Sequence, residues 1–572
     1  MIIRSVFSYR ILAVGLIATA TACGGGSQDN DTDATAADNP VVGVQTALCD
    51  SRETTARNTT DSDDCESTDT TPTLSPNTET TGSVQASRFN VYKVPTDSQV
   101  ILTSSRGNAD LYLYDSIDFN DNNLLCSASK PFLEDVCSAS VDEGSLYAVV
   151  YGTQATDYRL TTSDDCSIES INRWVYRNMK DYYLYADQVP TVNTDTYATP
   201  AELISELRFE ELDPFSGISN AERREAFFNT GLSYGFGYNW RYDANNNARV
   251  TYVFANSSFG RANIKRGDII VAVEGELWND MTRERYLELV GNKDNPRTTN
   301  WTFIDSDTQS TKDVLLTYGE YTADTVLYTN IYTNDSFDGK VGYIVFNEFL
   351  ATSEAELDSA IARLSRQGAT ELILDLRYNP GGYTYIARKL ASQIGGETLQ
   401  GKALVRYEHN SKYSNVDYQR NFEAATPTLN LNKVVILTTS STASSSELLI
   451  NALRPYVEVV TIGGSTRGKP FISSSRNYCG LSLNAMEAQG VNANGVSVAG
   501  GIPADCYATD DPTRPFGIQN GEPEGMLNAA LDYYHYGTCD VGPAIAKRSI
   551  QSGNTATHSP DQRFRQTPGS TH

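Results

Sequence analysis

Leu372-Ile373-Leu374-Asp375-Leu376-Arg377-Tyr378-Asn379-Pro380-Gly381-Gly382 is the stretch from which the fold is read. Its first five residues are apolar enough for a strand covered on both faces. Pro380-Gly381-Gly382 then ends it. Glycines directly behind a buried strand let backbone N–H groups come close to a reacting centre, although the same residues also make an ordinary tight turn. Upstream, Val341 to Phe346 reads as another strand. Ser353-Glu354-Ala355-Glu356 reads as a capping box, followed by Leu357, Ile361 and Leu364 on one helix face and Gly368 as the stop. Strand, helix, strand is the unit of an α/β fold.

Two further strands carry the candidate chemistry. Val434-Val435-Ile436-Leu437 runs into Thr438-Thr439-Ser440-Ser441-Thr442-Ala443-Ser444-Ser445-Ser446-Glu447, and a helix continues through Leu453 to Pro455. Serines at a strand-to-helix junction face helix N–H dipoles that favour developing negative charge, and Ser445 or Ser446 also suits a plain N-cap. Val457 to Ile462 leads to Gly463-Gly464-Ser465-Thr466-Arg467-Gly468-Lys469-Pro470-Phe471. A lysine held beside a buried strand can be desolvated, lose its proton near neutrality and act as base for a serine.

Histidine supply weighs against the commoner serine–histidine chemistry. The four histidines are His409, His535, His558 and His572, and the last two fall in a Ser/Thr/Gln-rich tail. No G-x-S-x-G elbow or H-E-x-x-H motif is present, so a serine enzyme using His409 is the weaker alternative.

The segments LILDLRYNPGG, TASSSE and GGSTRGK together resemble the C-terminal processing peptidases, or tail-specific proteases, over about residues 166 to 545. That resemblance implies a crotonase-like βαβ core, Ser444 as nucleophile, Lys469 as base, and an oxyanion hole of backbone N–H groups near Gly381 or Gly382 with that of Ser445. It implies protein or peptide substrates and calls for no metal or nucleotide cofactor. The family usually has Gln or Glu four residues after the lysine to orient it, whereas this chain has Ser473, and Pro470 replaces a glycine. A non-catalytic peptide- or ligand-binding lipoprotein on the same scaffold is the rival from another class, and the presence of both Ser444 and Lys469 argues against it.

Outward from the core, residues 231–325 form a β-rich module around Val250-Thr251-Tyr252-Val253 and Gly267-Asp268-Ile269-Ile270-Val271-Ala272-Val273-Glu274-Gly275. The second run resembles the GDxIxxVxG signature of PDZ domains, with a following helix expected over Thr282 to Val290. Gly235, Phe236, Gly237 and Tyr238 lie where PDZ domains keep the loop that binds a peptide carboxylate. Residues 164–230 are helical in pattern, with Ile168, Ile171, Trp174, Val175, Met179 and Tyr182 on one face. Residues 86–163 alternate as short strands and predict a small all-β sandwich, similar to pre-peptidase C-terminal domains. Asp118–Asn122 and Asp243–Asn247 imitate the start of a calcium loop, but both lack its glycine and glutamate and read as hairpin turns.

The predicted organisation is a signal peptide at 1–22, a disordered Thr/Asp-rich tether at 23–85, the sandwich, the helical segment, the PDZ-like insertion, the catalytic core at 326–545 and a disordered tail at 546–572. Arg4 and Arg10 precede an apolar run too short to span a bilayer, and Ala20-Thr21-Ala22-Cys23 resembles the bacterial lipoprotein box. Cys23 is therefore the expected lipidation site and a membrane anchor. Gly24, rather than Asp, points to the outer membrane by analogy with enterobacterial sorting. The other eight cysteines suit disulfides in an oxidising compartment. Closeness along the chain favours Cys49–Cys65, Cys126–Cys137 and Cys479–Cys506, leaving Cys166 with Cys539. The formal net charge of −26 excludes a general nucleic-acid binder, which would need Lys and Arg to displace counterions.

Overall fold

Leu372, Ile373 and Leu374 are fully shielded from solvent, and their alternation sends neighbours to opposite faces of one sheet. The computed structural model describes residues 71–539 apart from 77, 105–107, 118, 120–122, 129–133, 141–143, 164–165, 334–338 and 470. Cys23, Cys49, Cys65, the signal peptide and the tail lie outside the described residues. The central sheet runs, in spatial order, Val326–Thr333, Lys340–Phe346, Glu371–Asp375, Lys433–Thr438, Glu458–Gly463 and Cys506–Tyr507. Its first pair is antiparallel and the others are parallel.

Leu372, Leu374, Val434 and Ile436 pack on one side with Leu357, Ile361, Leu390 and Leu449 from three helices, Ser353–Arg366, Thr384–Gly395 and Ser445–Leu453. Ile373, Val435 and Leu437 pack on the other with Met526, Leu527 and Ala530 of the helix Gly525–Tyr536. Covering both faces is what lets parallel strands be apolar throughout. The Ser353–Arg366 helix departs from the expected capping box. Ser353 Oγ donates to Glu348 O at 2.9 Å, and Glu356 accepts the amides of Thr325 and Val326, so these side chains tie the helix to neighbouring segments.

Upstream, two four-stranded antiparallel sheets share a core that includes Val100, Leu102, Leu111, Leu113, Leu146 and Val150. The strand Glu79–Val84 pairs with Thr156–Ser163 at the edge of one sheet, so the expected tether ends earlier than residue 85. Its Thr and Ser residues read as linker composition, but ladder hydrogen bonds come from the backbone, and Val84 alone supplies a core contact. Within the expected helical segment 164–230, Gly217–Asn220 is also a strand, paired with Leu481–Asn484.

Residues 238–317 hold an antiparallel sheet ordered Tyr238–Tyr242, Ala248–Val253, Ile269–Val273, Thr298–Ile304 and Thr311–Thr317, with Glu276–Leu277 paired to Ile269–Val273. The helix Arg283–Val290 follows, its first turn capped by Thr282. Asp243–Asn247 is a hairpin turn in which Asp243 Oδ1 accepts the amides of Asn245 and Asn247, both at 2.9 Å. The Asp118–Asn122 stretch lies mostly outside the described residues.

Cys126–Cys137 joins the two upstream sheets as expected, but the other pairings differ. Cys166 bonds Cys479, and Cys506 bonds Cys539. Proximity in sequence misleads here because Cys479 sits at the tip of the Ser475–Tyr478/Leu481–Asn484 hairpin. That hairpin packs on the helix Ile168–Asp181, with Trp174 stacked on Tyr478 at 5.3 Å.

One ionic cluster lies directly behind the glycine loop. Arg377 is fully buried, pairs with Asp375 at 2.7 Å and Asp510 at 3.0 Å, and also bonds Glu524. Arg266, from the neighbouring antiparallel module, reaches the same Asp510 at 2.8 Å and the Tyr378 hydroxyl at 2.8 Å. Buried charges persist only when matched this closely. Arg377→Met keeps bulk but leaves Asp375 and Glu524 without their counter-charge. It is expected to cost about 3–5 kcal/mol in urea unfolding, whereas wild-type stability would contradict this account.

Candidate active site

Ser444 sits at the N-terminus of the helix Ser445–Leu453, with φ 56° and ψ −117°. A serine pays for this region in strain, because its Cβ crowds the backbone there. The surrounding bonds show what holds it. Thr442 Oγ1 donates to Leu376 O at 2.8 Å, Ala443 N to Asn379 O at 3.1 Å, and Ser446 Oγ to Asn379 O at 3.1 Å. Ser445 Oγ donates to Gly382 O at 2.6 Å. The serine turn and the Asn379-Pro380-Gly381-Gly382 loop are thereby laced together.

The fit leaves no room for side chains in the loop. A Cβ on Gly381, at φ +105°, would lie 2.7 Å from Ser444 Cβ and 2.9 Å from Ser445 N. Gly381 N–H donates to Asn379 Oδ1 at 2.9 Å. Among the described residues, Gly382 N–H and Ser445 N–H have no such partner and remain as donors beside Ser444.

Lys469 reaches the same place from the next strand. Its loop is held by Glu447, the last residue of the 438–447 run and part of the Ser445–Leu453 helix. Glu447 Oε1 accepts Thr466 Oγ1 at 2.5 Å and Gly468 N at 2.7 Å, while Oε2 accepts Ser444 N at 2.9 Å and Lys469 N at 2.8 Å. One fully buried carboxylate thus joins the backbones of both candidate residues. The S-x-x-E pattern of Ser444 to Glu447 is the signal that announces half of this arrangement.

Lys469 Nζ lies over the Phe215 ring, 5.4 Å from its centroid. Burial lowers the lysine's affinity for its proton, and the Arg224 and Arg467 guanidinium groups add to that lowering, while Asp213 and Glu447 oppose it. No hydrogen bond joins Ser444 Oγ to Lys469 Nζ among the described residues. Ser473 lies in the link between Phe471–Ile472 and Ser475–Tyr478 and makes no hydrogen bond to Lys469. Asp213, Phe215 and Arg224 come from segments that carry no recognisable motif, so sequence reasoning missed them.

The other candidates lie elsewhere. His409 Nδ1 faces Asp417 Oδ1 at 3.1 Å, and His535 occupies the last turn of the helix Gly525–Tyr536. Neither is hydrogen-bonded to Ser444. In the Gly235–Tyr238 stretch, Gly235 pairs with Gly319, Phe236 is buried against Trp301 at 4.9 Å, and Tyr238 stacks on Phe259 at 4.0 Å. Gly237 O accepts Phe254 N at 2.9 Å. Both aromatic rings of this loop therefore face the module's own core.

Residues 340–507 match Peptidase family S41, and residues 170–217 match the Peptidase S41 N-terminal domain. Two segments of the chain thus carry the sequence signature of peptidase family S41. Among curated relatives, a Staphylococcus aureus protein described as a probable CtpA-like serine protease is 26% identical over 323 residues, covering 56% of this chain and 60% of the relative. A Staphylococcus epidermidis protein of the same description is 26% identical over 314 residues, covering 54% and 59%. The chain thus spans about three fifths of the length of these relatives. A crystal structure assigned to an S41 protease from Bacteroides fragilis superposes with a TM-score of 0.51 at 23% identity, over 63% of this chain and 96% of that one. That likeness is one of fold.

Glycine adopts the backbone conformation of Ser444 without the Cβ penalty. Ser444→Gly is therefore expected to raise stability by about 1 kcal/mol in thermal unfolding, while Ser444→Ala, which keeps the strain, leaves it near wild type. Equal stability of the Gly and Ala variants would show that the serine is unstrained.

Proposed function

We propose that the chain is an exported serine endopeptidase of the C-terminal processing type. Ser444 Oγ attacks the peptide carbonyl as neutral Lys469 takes its proton, and the lysine returns that proton to the leaving amine. Gly382 N–H and Ser445 N–H stabilise the oxyanion at the end of the Ser445–Leu453 helix, where the helix dipole adds to their effect. Water then hydrolyses the acyl-enzyme. The observation that carries this reading is Glu447, whose carboxylate binds the amides of both Ser444 and Lys469. The strained serine and the lysine's lowered proton affinity support it.

The module at 231–325 acts on this reading as a PDZ domain that recognises or gates extended peptides, with Gly235–Tyr238 as its carboxylate loop. The sheet order and the Arg283–Val290 helix are in keeping with that role. Export, with Cys23 lipidated and the protein anchored in the outer membrane, follows the N-terminal pattern. Three disulfides within 126–539 support an oxidising compartment.

Cleavage of a denatured-protein substrate by the full-length chain tests the catalytic assignment. Ser444→Ala is expected to lose at least about a hundredfold in kcat/KM, while Ser445→Ala keeps the greater part of it. Lys469→Arg, which cannot give up its proton, should be as inactive as Lys469→Ala, and His409→Ala should stay active. Because the base works only when deprotonated, kcat/KM rises with pH through a lysine value lowered from 10.5. Normal cleavage by Lys469→Arg would overturn the dyad.

Peptide titrations test the recognition module separately. A peptide that binds through its free C-terminus should bind clearly more weakly once amidated, and equal affinity would remove Gly235–Tyr238 from that role.

A further inference from the structure

A lysine base becomes an ammonium while the serine attacks, and that cation needs a counter-charge in a buried site. Among the described residues, the charged groups that act most strongly on Lys469 are Arg224 of the helix Ala221–Thr230, Arg467 of its own loop, Glu447 of the Ser445–Leu453 helix, and Asp213 of the segment before Gly217–Asn220. The two guanidinium groups oppose the ammonium. Glu447 already accepts four donors, which uses the acceptor sites a carboxylate offers. Asp213 is different. It is fully buried, its Oδ1 accepts the amides of Phe215 and Ser216 at 2.8 Å each, and among the described residues its Oδ2 makes no close hydrogen bond, although the Tyr183 hydroxyl acts on the same carboxylate.

The same short turn, Asp213-Pro214-Phe215-Ser216, carries the aromatic ring over which Lys469 Nζ lies. The two amide bonds fix the Asp213 carboxylate in orientation, so its second oxygen is a standing acceptor rather than a mobile one. Its charge is felt on another side too, where burial and then Asp213 push the Tyr183 and Tyr185 phenols up. At Ser473, where the family resemblance places an orienting Gln or Glu, the structure shows no bond to the lysine.

Resting on the serine–lysine reading, we infer that Asp213 is the positioning residue for Lys469, supplying from the N-terminal segment the counter-charge that residue 473 does not. In the reaction, the proton leaves Ser444 Oγ for Lys469 Nζ, the Oγ–carbon bond forms, and the new ammonium is drawn toward Asp213 Oδ2. Proton return to the leaving amine restores neutral lysine and breaks the C–N bond.

Asp213→Asn tests this in the full-length chain, because the amide oxygen still accepts from Phe215 and Ser216 while the charge is gone. The expected result is a fall in kcat of at least about tenfold with little change in KM. The acid limb of the kcat/KM profile should also move to lower pH, since the carboxylate no longer favours charged lysine. Installing Ser473→Gln in the Asp213→Asn background should recover part of kcat. A variant with wild-type kcat and an unmoved acid limb overturns the inference. So does a loss of activity that merely tracks the folded fraction in circular dichroism with the limb unmoved. Full activity of Lys469→Ala would instead overturn the serine–lysine reading beneath it, so the two failures are told apart.

Discussion

The Glu447 carboxylate is the interaction on which the site's geometry depends. It is buried, has no ion-pair partner among the described residues, and is satisfied by four donors, three of them backbone amides. Charge-assisted bonds of this kind are individually strong, and their loss strands buried amides at a further cost. They join two turns that leave adjacent parallel strands at the same edge of the sheet, Lys433–Thr438 and Glu458–Gly463. That bridge adds to the Arg467 N–H bond to Thr442 O at 2.9 Å, which also holds the serine turn against the lysine loop. The strained serine backbone is the cost of this arrangement, and the loop at Asn379–Gly382 packs tightly enough to enforce it.

Behind the site, the Arg377 cluster plays a comparable part at larger scale. It collects Asp375 from a central strand, Glu524 from the start of the last helix, Asp510 from the preceding loop and Arg266 from the neighbouring module. The glycine loop therefore rests on a charge network shared by several segments. Any displacement of the module at 231–325 would have to break the buried bonds from Arg266 to the Tyr378 hydroxyl and to Asp510.

Much of the core was legible because the signals were local. Leu372–Leu374 and Val434–Leu437 announce covered strands by composition, and Ser444 and Lys469 follow them at strand ends. What could not be read depends on tertiary placement. Cys479 finds Cys166 because a hairpin carries it across the fold, a pairing that chain distance ranks poorly. The edge strand Glu79–Val84 looks like linker because its bonding is by backbone. Glu356 has the spacing of a cap but serves the amides of Thr325 and Val326, and Asp213 stands in no motif.

In the proposed chemistry Ser444 is a nucleophile activated by Lys469. Its most direct test is labelling of the full-length protein with a serine-directed fluorophosphonate, followed by mass spectrometry of the modified peptide. A single adduct on Ser444 is expected in the wild-type chain, and none in Lys469→Ala at the same pH and exposure. An adduct on Ser445 or Ser446, or undiminished labelling of Ser444 without Lys469, would contradict it.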